Sequence, residues 1–249
     1  MNIILRILIF STLFTACSHA QEEDKTTLNV LFGDSFDQLN TLNPAFSIDI
    51  GSRFIAKTTK ENLQNANSIN DIIPEISGQQ NRLFKQVETV IITGEKEVVE
   101  YGRSHELNTS QKELLHTADY GTNFYIRGDY ADKLSFNNHL IYYISVVPEQ
   151  EATYISGRES LINYLHDNIS SLISHIDAKT LQPGRLLFEI SSDGTLSYAE
   201  IESTCGFSDI DSHVLKLMKE VPGKWNPAKN AEGKSVAQQF VIFFGTQGC

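Results

Sequence analysis

The last hundred or so residues of this chain combine two patterns of apolar positions. Apolar residues recur every three to four positions over 158–174 and 209–221, which predicts two amphipathic helices. Apolar and β-branched residues predominate over 185–191, 195–203 and 236–245, and this enrichment between turn residues predicts three strands. The predicted order is therefore helix, strand, strand, helix, strand.

The preceding part of the chain has mainly the pattern of strands. Strands are predicted over 27–32, 45–58 (one or two strands around Gly51), 84–93, 97–101, 123–130 and 139–147, and helices over 60–73 and from 108 or 109 to 116. Residues 148–151 interrupt this pattern, so we expect a domain boundary there. The chain is thus predicted to be an α+β protein, with a β-rich domain of one or two helices over 27–150 and a second domain over 151–249.

The first residues of the chain have the features of a secretion signal. An apolar run over 7–14 is much shorter than the roughly 20 residues that span a bilayer as a helix. The run leads to Thr15-Ala16-Cys17, which resembles a bacterial lipobox with Phe14 where that motif usually has Leu. The resemblance implies a lipoprotein signal peptide over 1–16, lipidation of Cys17 and a tether over 17–26. An ordinary cleaved signal and an uncleaved anchor are the alternatives.

The composition argues against several classes of function. The net charge of −11 and the pI near 5.1 oppose binding to nucleic acid, because phosphate contacts need a basic surface. The cysteines and histidines have neither the CxxC nor the His-x-x-x-His spacing of a metal site. The sequence also has no Gly-rich phosphate loop and no recognisable nucleophile–base pair. We therefore predict a non-enzymatic protein without catalytic residues, cofactor or metal. An enzyme of unknown type over residues 28–148 is a weaker alternative.

Four segments of the second domain form an ordered pattern: YISG, GRLLFEISSDGTLSYAEIES, CGFSDIDSHVLKLMKEVPGKWNPA and EGKSVAQQFVIFF. Their most recognisable residues are the Asp193-Gly194 turn, Trp225 and Pro227. Over about residues 154–245 this pattern resembles the TonB C-terminal domain family. The resemblance implies a helix-strand-strand-helix-strand domain with a three-stranded antiparallel sheet. On physical grounds, Asp193-Gly194 sets the register of a hairpin, and Trp225 is buried against the sheet or the second helix.

In that family the domain contacts outer-membrane transporters by pairing one of their segments with an edge of its own sheet. The resemblance implies an outer-membrane TonB-dependent receptor or another envelope protein as the partner, held mainly by main-chain hydrogen bonds. It places the binding edge on the last strand, at Gln238, Gln239, Phe240, Val241, Ile242, Phe243 and Phe244. Because exposed edges are usually protected, a cover formed by the N-terminal domain or by the chain itself is an equal alternative.

The leader changes what the resemblance implies about function. If Cys17 is lipidated, cleavage removes the apolar leader, and the chain has only six prolines. It would then lack the inner-membrane helix and the Pro-rich spacer of an energy transducer. We therefore expect a lipoprotein of the bacterial cell envelope that is periplasmic or surface-facing. Its lipid would hold it in a membrane, and we favour the outer membrane. The alternative is a TonB-type energy transducer that keeps its N-terminal segment as an anchor.

Two further cysteines would lie in an oxidising compartment. In the topology that the resemblance implies, Cys205 and Cys249 follow strands that run in the same direction, so both lie at one edge of the sheet. We expect a Cys205–Cys249 disulfide, which would contribute about 2–4 kcal/mol. Two buried or frayed thiols are the alternative.

Overall fold

The computed structural model describes residues 46–73, 83–94, 96–131 and 137–246. The strands in these ranges are β1 (Ser47–Gly51), β2 (Ala56–Thr59), β3 (Leu83–Thr93), β4 (Lys96–Gly102), β5 (Asn123–Ala131), β6 (Asn137–Val147), β7 (Thr153–Tyr154), β8 (Pro183–Ile190), β9 (Leu196–Ser203), β10 (Trp225–Asn226), β11 (Ala228–Lys229), β12 (Ser235–Val236) and β13 (Gln238–Gly245). The helices are α1 (Lys60–Asn65), α2 (Ile69–Ile72), α3 (Thr109–His116), α4 (Arg158–Ile173) and α5 (Ser208–Lys219). None of these helices has the length and apolar character that crossing a membrane requires.

The described chain is a mixed α+β protein, as predicted, and most predicted elements are confirmed in type and place. The strand pattern over 45–58 gives two strands, β1 and β2. The two long amphipathic helices are α4 and α5. Asn108 is the N-cap of α3, and its side chain accepts a hydrogen bond from the Gln111 amide. The strand predicted over 27–32 lies outside the described residues.

A five-stranded sheet in the order β2-β6-β5-β3-β4 forms the first domain. Neighbouring strands are antiparallel, except that β2 and β6 are parallel. Alternate strand residues such as Val87, Phe124 and Ile144 are apolar, so they point to one face and pack there with the apolar residues of α1, α2 and α3. The helices therefore cover one side of this sheet.

The second sheet has four strands, in the order β1-β13-β8-β9, and all neighbours are antiparallel. The prediction of a three-stranded sheet is therefore wrong, because β1 adds a fourth strand from a segment that we assigned to the first domain. Phe46, Ile48 and Ile50 alternate with polar residues and enter the same apolar core as α4 and α5. The second domain is thus discontinuous in sequence, with β1 preceding all of the first sheet.

The single helix predicted over 60–73 is also wrong, since the segment forms the two short helices α1 and α2. Ser68 begins α2, and the Asp71 carboxylate accepts hydrogen bonds from the Asn67 and Ser68 amides, each at 2.8 Å. These backbone bonds, first that from Asn67, hold the pKa of Asp71 below its usual value. A new helix therefore begins at the Ser68 capping box, and this start interrupts the single helix that the apolar spacing predicts.

Polar contacts hold the segments that connect the two domains against the second sheet. The Gln238 side chain accepts a hydrogen bond from the Ala152 amide at 2.7 Å and donates one to Glu151 at 2.8 Å. Arg53, which lies between β1 and β2, binds Glu202 of β9 through two hydrogen bonds. A cavity of only about 20 Å³ lies at this junction, lined by both sheets. The two sheets therefore pack closely at this junction.

Candidate partner-binding edge

The predicted binding residues all lie on β13, but β13 is an interior strand. It pairs with β8 over Gln238–Gly245 and with β1 over Val241–Gly245. The prediction that the last strand is a free edge is therefore wrong for this structure, and the alternative of a cover from the chain itself is correct. The physical reason is the apolar side of β1, which would otherwise have no core to enter.

The side chains of the predicted edge alternate between two environments. Gln238, Phe240, Ile242 and Phe244 are buried on the side that faces α4 and α5, as expected for the inner face of a strand. On the other side, Gln239 is exposed, Val241 is buried and Phe243 is half-buried. A strand with apolar residues on both faces is typical of a sheet interior, and this feature distinguishes β13 from an exposed edge.

Three apolar side chains hold strand β1 on β13: Phe46, which directly precedes the strand, and two residues within it. Phe46 is fully buried, and Ile48 and Ile50 are almost as well covered. The register sets Ile48 opposite Phe244 and Ile50 opposite Ile242. Burial of side chains of this size contributes about 1.5–3 kcal/mol each. The strand is thus firmly seated, although only five residues pair.

The outer side of β1 is closed by side chains. The Ile50 amide donates to Asp49 Oδ1 at 2.7 Å, and the Ile50 carbonyl accepts from Nε of Arg158 at 3.1 Å. Arg158 also forms an ion pair with Asp49. Both main-chain groups of Ile50 are therefore bonded to side chains outside the β1–β13 ladder, and a further strand could use them only by breaking these bonds. No sequence pattern predicts this role for Arg158, because the contact joins α4 to a segment far away in the chain.

The other edge of the second sheet, β9, is protected by charge. Glu200 and Glu202 are exposed on it, and Glu202 is held by Arg53 at 2.9 Å and by Arg185 at 3.2 Å. The pairing of β8 with β9 also shifts register twice. Charged side chains and bulges are common devices against unwanted pairing at sheet edges. Within the second sheet, β13 would therefore present an edge to an added segment only if β1 left it.

The motif residues of the second domain come together beside this sheet. Trp225 packs against Phe188, Phe240 and Tyr154, with ring centroids 5.4–5.8 Å apart, which confirms its burial against the sheet. A side-chain carbon placed on Gly194 would lie 2.4 Å from the Trp225 carbonyl oxygen. The hairpin turn and the tryptophan segment therefore touch, and their role is structural.

Asp193 stabilises the same turn from the solvent side. Its carboxylate accepts hydrogen bonds from the Ser191 hydroxyl and from the Thr195 amide and hydroxyl, at 3.0 and 2.7 Å for Thr195. These bonds, first that from Ser191, hold the pKa of Asp193 below its usual value. Asp193-Gly194 thus joins β8 and β9 as a tight turn, as predicted from the sequence.

Of the three cysteines, the structure describes Cys205 alone, and Cys17 and Cys249 lie outside the described residues. Cys205 is fully buried, and this burial raises the pKa of its thiol to about 12. As predicted, β9 and β13 run in the same direction, because both are antiparallel to β8. A side-chain carbon on Gly245 would lie 3.2 Å from Cys205 Cβ, so the end of β13 lies close to this cysteine. The Cys205–Cys249 disulfide stays a prediction.

The described residues contain no group of three or more His, Cys, Asp or Glu side chains that could hold a metal ion. No protein-family model matches the chain, and no match was found among the curated proteins or the solved structures. The functional hypothesis therefore depends on the geometry of the β13 edge and on the sequence motifs.

Proposed function

We propose that this protein is a non-enzymatic lipoprotein of the bacterial cell envelope that binds an extended segment of an envelope partner. The partner segment pairs with β13 through main-chain hydrogen bonds. The partner is an outer-membrane receptor of the TonB-dependent type or another envelope protein. The lipid on Cys17 holds the binding domain at the membrane surface, close to such partners.

One observation carries this proposal: β13 already accepts an antiparallel strand from a distant part of the chain. Ser47 and Gly245, which face each other at the end of this pairing, are 198 positions apart in sequence. The strand is thus not a local hairpin partner of β13. An edge that takes one extended segment by main-chain bonding and apolar side chains can take another of similar pattern.

The membrane attachment is tested by metabolic labelling with a palmitate analogue. The wild-type chain is expected to incorporate the label, and Cys17→Ala is expected to lose it. Cys249→Ala serves as the control for a cysteine substitution elsewhere and should label like wild type. An unlabelled wild-type chain would contradict the lipid anchor.

The binding surface is tested by site-specific photo-crosslinking in the intact envelope. A photoreactive residue at Phe243, half-buried on β13, is expected to give crosslinks to outer-membrane proteins. The same residue at Asp167, exposed on α4, is the control and should give none above background. Equal crosslinking from both positions, or none from Phe243, would contradict partner binding at β13.

A further inference from the structure

We infer that β1 is an internal ligand that closes the β13 edge, and that the partner segment binds by taking its place. That segment is an extended peptide with apolar side chains at three alternate positions and an acidic residue between the second and the third. Residues Phe46 to Ile50 of this chain have this pattern. The inference rests on the proposed function and adds the chemistry of the partner segment and the control of access to the edge.

The apolar side chains of Phe46, just before β1, and of Ile48 and Ile50 within it define the spacing of the partner segment. Phe46, Ile48 and Ile50 all enter the core of the second domain, in the register that sets Ile48 against Phe244 and Ile50 against Ile242. Side chains along a strand alternate between its two faces. A replacement strand must therefore supply an apolar residue at every second position, since a shift by one residue would bring polar side chains into the core.

Arg158 defines the charge of the partner segment. It forms an ion pair with Asp49 and donates a hydrogen bond to the Ile50 carbonyl at 3.1 Å. The Arg158 side chain is 55% exposed, so the ion pair contributes little to stability. Its effect is on selection: an acidic residue at this position is attracted, whereas a basic one is repelled.

Replacement of β1 is favoured over addition of a strand outside it. The outward-facing amide and carbonyl of Ile50 are already bonded to Asp49 and Arg158. A fifth strand would need these groups for its own ladder. On β13, by contrast, departure of β1 frees main-chain groups and exposes an apolar core that needs a cover.

The position of β1 in the sheet allows the exchange. Among the described strands it pairs with β13 alone, and β13 keeps all its pairs with β8 when β1 leaves. Residues 52–55 join β1 to β2, so a displaced β1 stays tethered. A tethered strand competes at a high effective concentration. The form in which β1 is paired with β13 is therefore the resting state. A partner segment must bind β13 more tightly than β1 does, or it must be held close to β13.

The test measures binding of a fluorescent peptide, residues 45–53 (AFSIDIGSR), to the full chain by fluorescence anisotropy. In the variant Ile50→Cys/Ile242→Cys the two cysteines face each other, so a disulfide locks β1 on β13. We expect the oxidised variant to bind the peptide at least about tenfold more weakly than the same protein after reduction. Wild type is the control, and its affinity for the peptide should be the same with and without reductant. The variant Ile48→Ser, which loosens β1, should bind at least about tenfold more tightly than wild type.

The same assay tests the selection by charge. A peptide with Asp49→Lys should bind about two- to fivefold more weakly than the parent peptide, as expected for an exposed ion pair. In the chain variant Arg158→Glu this preference should reverse. If Arg158 had only a structural role, Arg158→Glu would weaken the binding of both peptides equally, and that result would overturn the charge selection.

Two results would overturn the exchange itself. One is equal peptide binding by the oxidised and reduced forms of the locked variant, with the disulfide verified by mass. The other is no peptide binding by Ile48→Ser. If crosslinking from Phe243 still succeeds in either case, the proposed function survives and the inference fails. If crosslinking fails as well, both are wrong.

Discussion

At the scale of single residues, the structure explains why the Asp-Gly turn and the tryptophan segment occur together. Gly194 has a φ of +82°, a conformation that side chains rarely adopt, and a carbon on it would meet the carbonyl oxygen of Trp225. The turn could be predicted from Asp193-Gly194, because local backbone preference determines it. Its contact with Trp225 could not, because packing between distant segments determines it.

Substitution of Gly194 tests this contact. Gly194→Ala is expected to reduce the free energy of unfolding by about 3 kcal/mol or more, since it adds a backbone clash to the cost of a positive φ. Gly233→Ala, at φ +75° with open space around it, is the matched control and should cost only about 1–2 kcal/mol. The measurement is urea denaturation followed by the fluorescence of Trp225, the only tryptophan. Equal losses for the two variants would contradict the contact.

At the scale of elements, helix spacing alone was a poor guide to residues 60–73. Leu63, Ala66, Ile69 and Ile73 have helical spacing and are all buried, yet a cap at Ser68 divides the segment. The apolar spacing thus predicted which of these residues are buried, but it did not predict the interruption between the two helices. At Ser68 a local hydrogen bond therefore outweighs the apolar pattern.

The cap of α2 predicts a dependence of stability on pH. The Asp71 carboxylate is stabilised in the folded state, so its contribution is complete above its unfolded pKa near 3.8 and is lost as the pH falls through the lower folded value. Asp71→Ala should therefore cost about 1 kcal/mol at pH 7 and much less at pH 3. Asp71→Asn, which keeps an acceptor but does not titrate, is the control. Urea denaturation followed by circular dichroism gives the difference, and a loss that is independent of pH would contradict the cap.

At the scale of the whole molecule, the order of segments in the sequence does not match their grouping in space. β1 precedes the first sheet but belongs to the second, and Gln238 ties the start of β13 to the junction at Ala152. The alternation that makes β1 a strand was readable from the sequence. Its partner was not, because nothing local specifies pairing across such a separation. The family resemblance therefore predicted a free edge at β13, whereas β1 covers that edge in the structure.

The junction contact of Gln238 gives a prediction at this scale. Gln238→Ala leaves the buried Ala152 amide without its acceptor and should cost about 1–3 kcal/mol. Gln239→Ala, the neighbouring exposed position, is the control and should change stability by less than about 0.5 kcal/mol. Urea denaturation of the full chain makes the comparison. A Gln238→Ala variant as stable as the control would show that the junction does not depend on this contact.

The exchange of β1 for a partner segment is tested most directly by hydrogen exchange on the full chain. The amides of β1 and β13 are followed with and without an excess of the peptide of residues 45–53. We predict that the peptide speeds exchange in β1 of the chain, while β13 stays protected because the peptide replaces its partner. Unchanged protection of β1 in the presence of bound peptide would contradict the account.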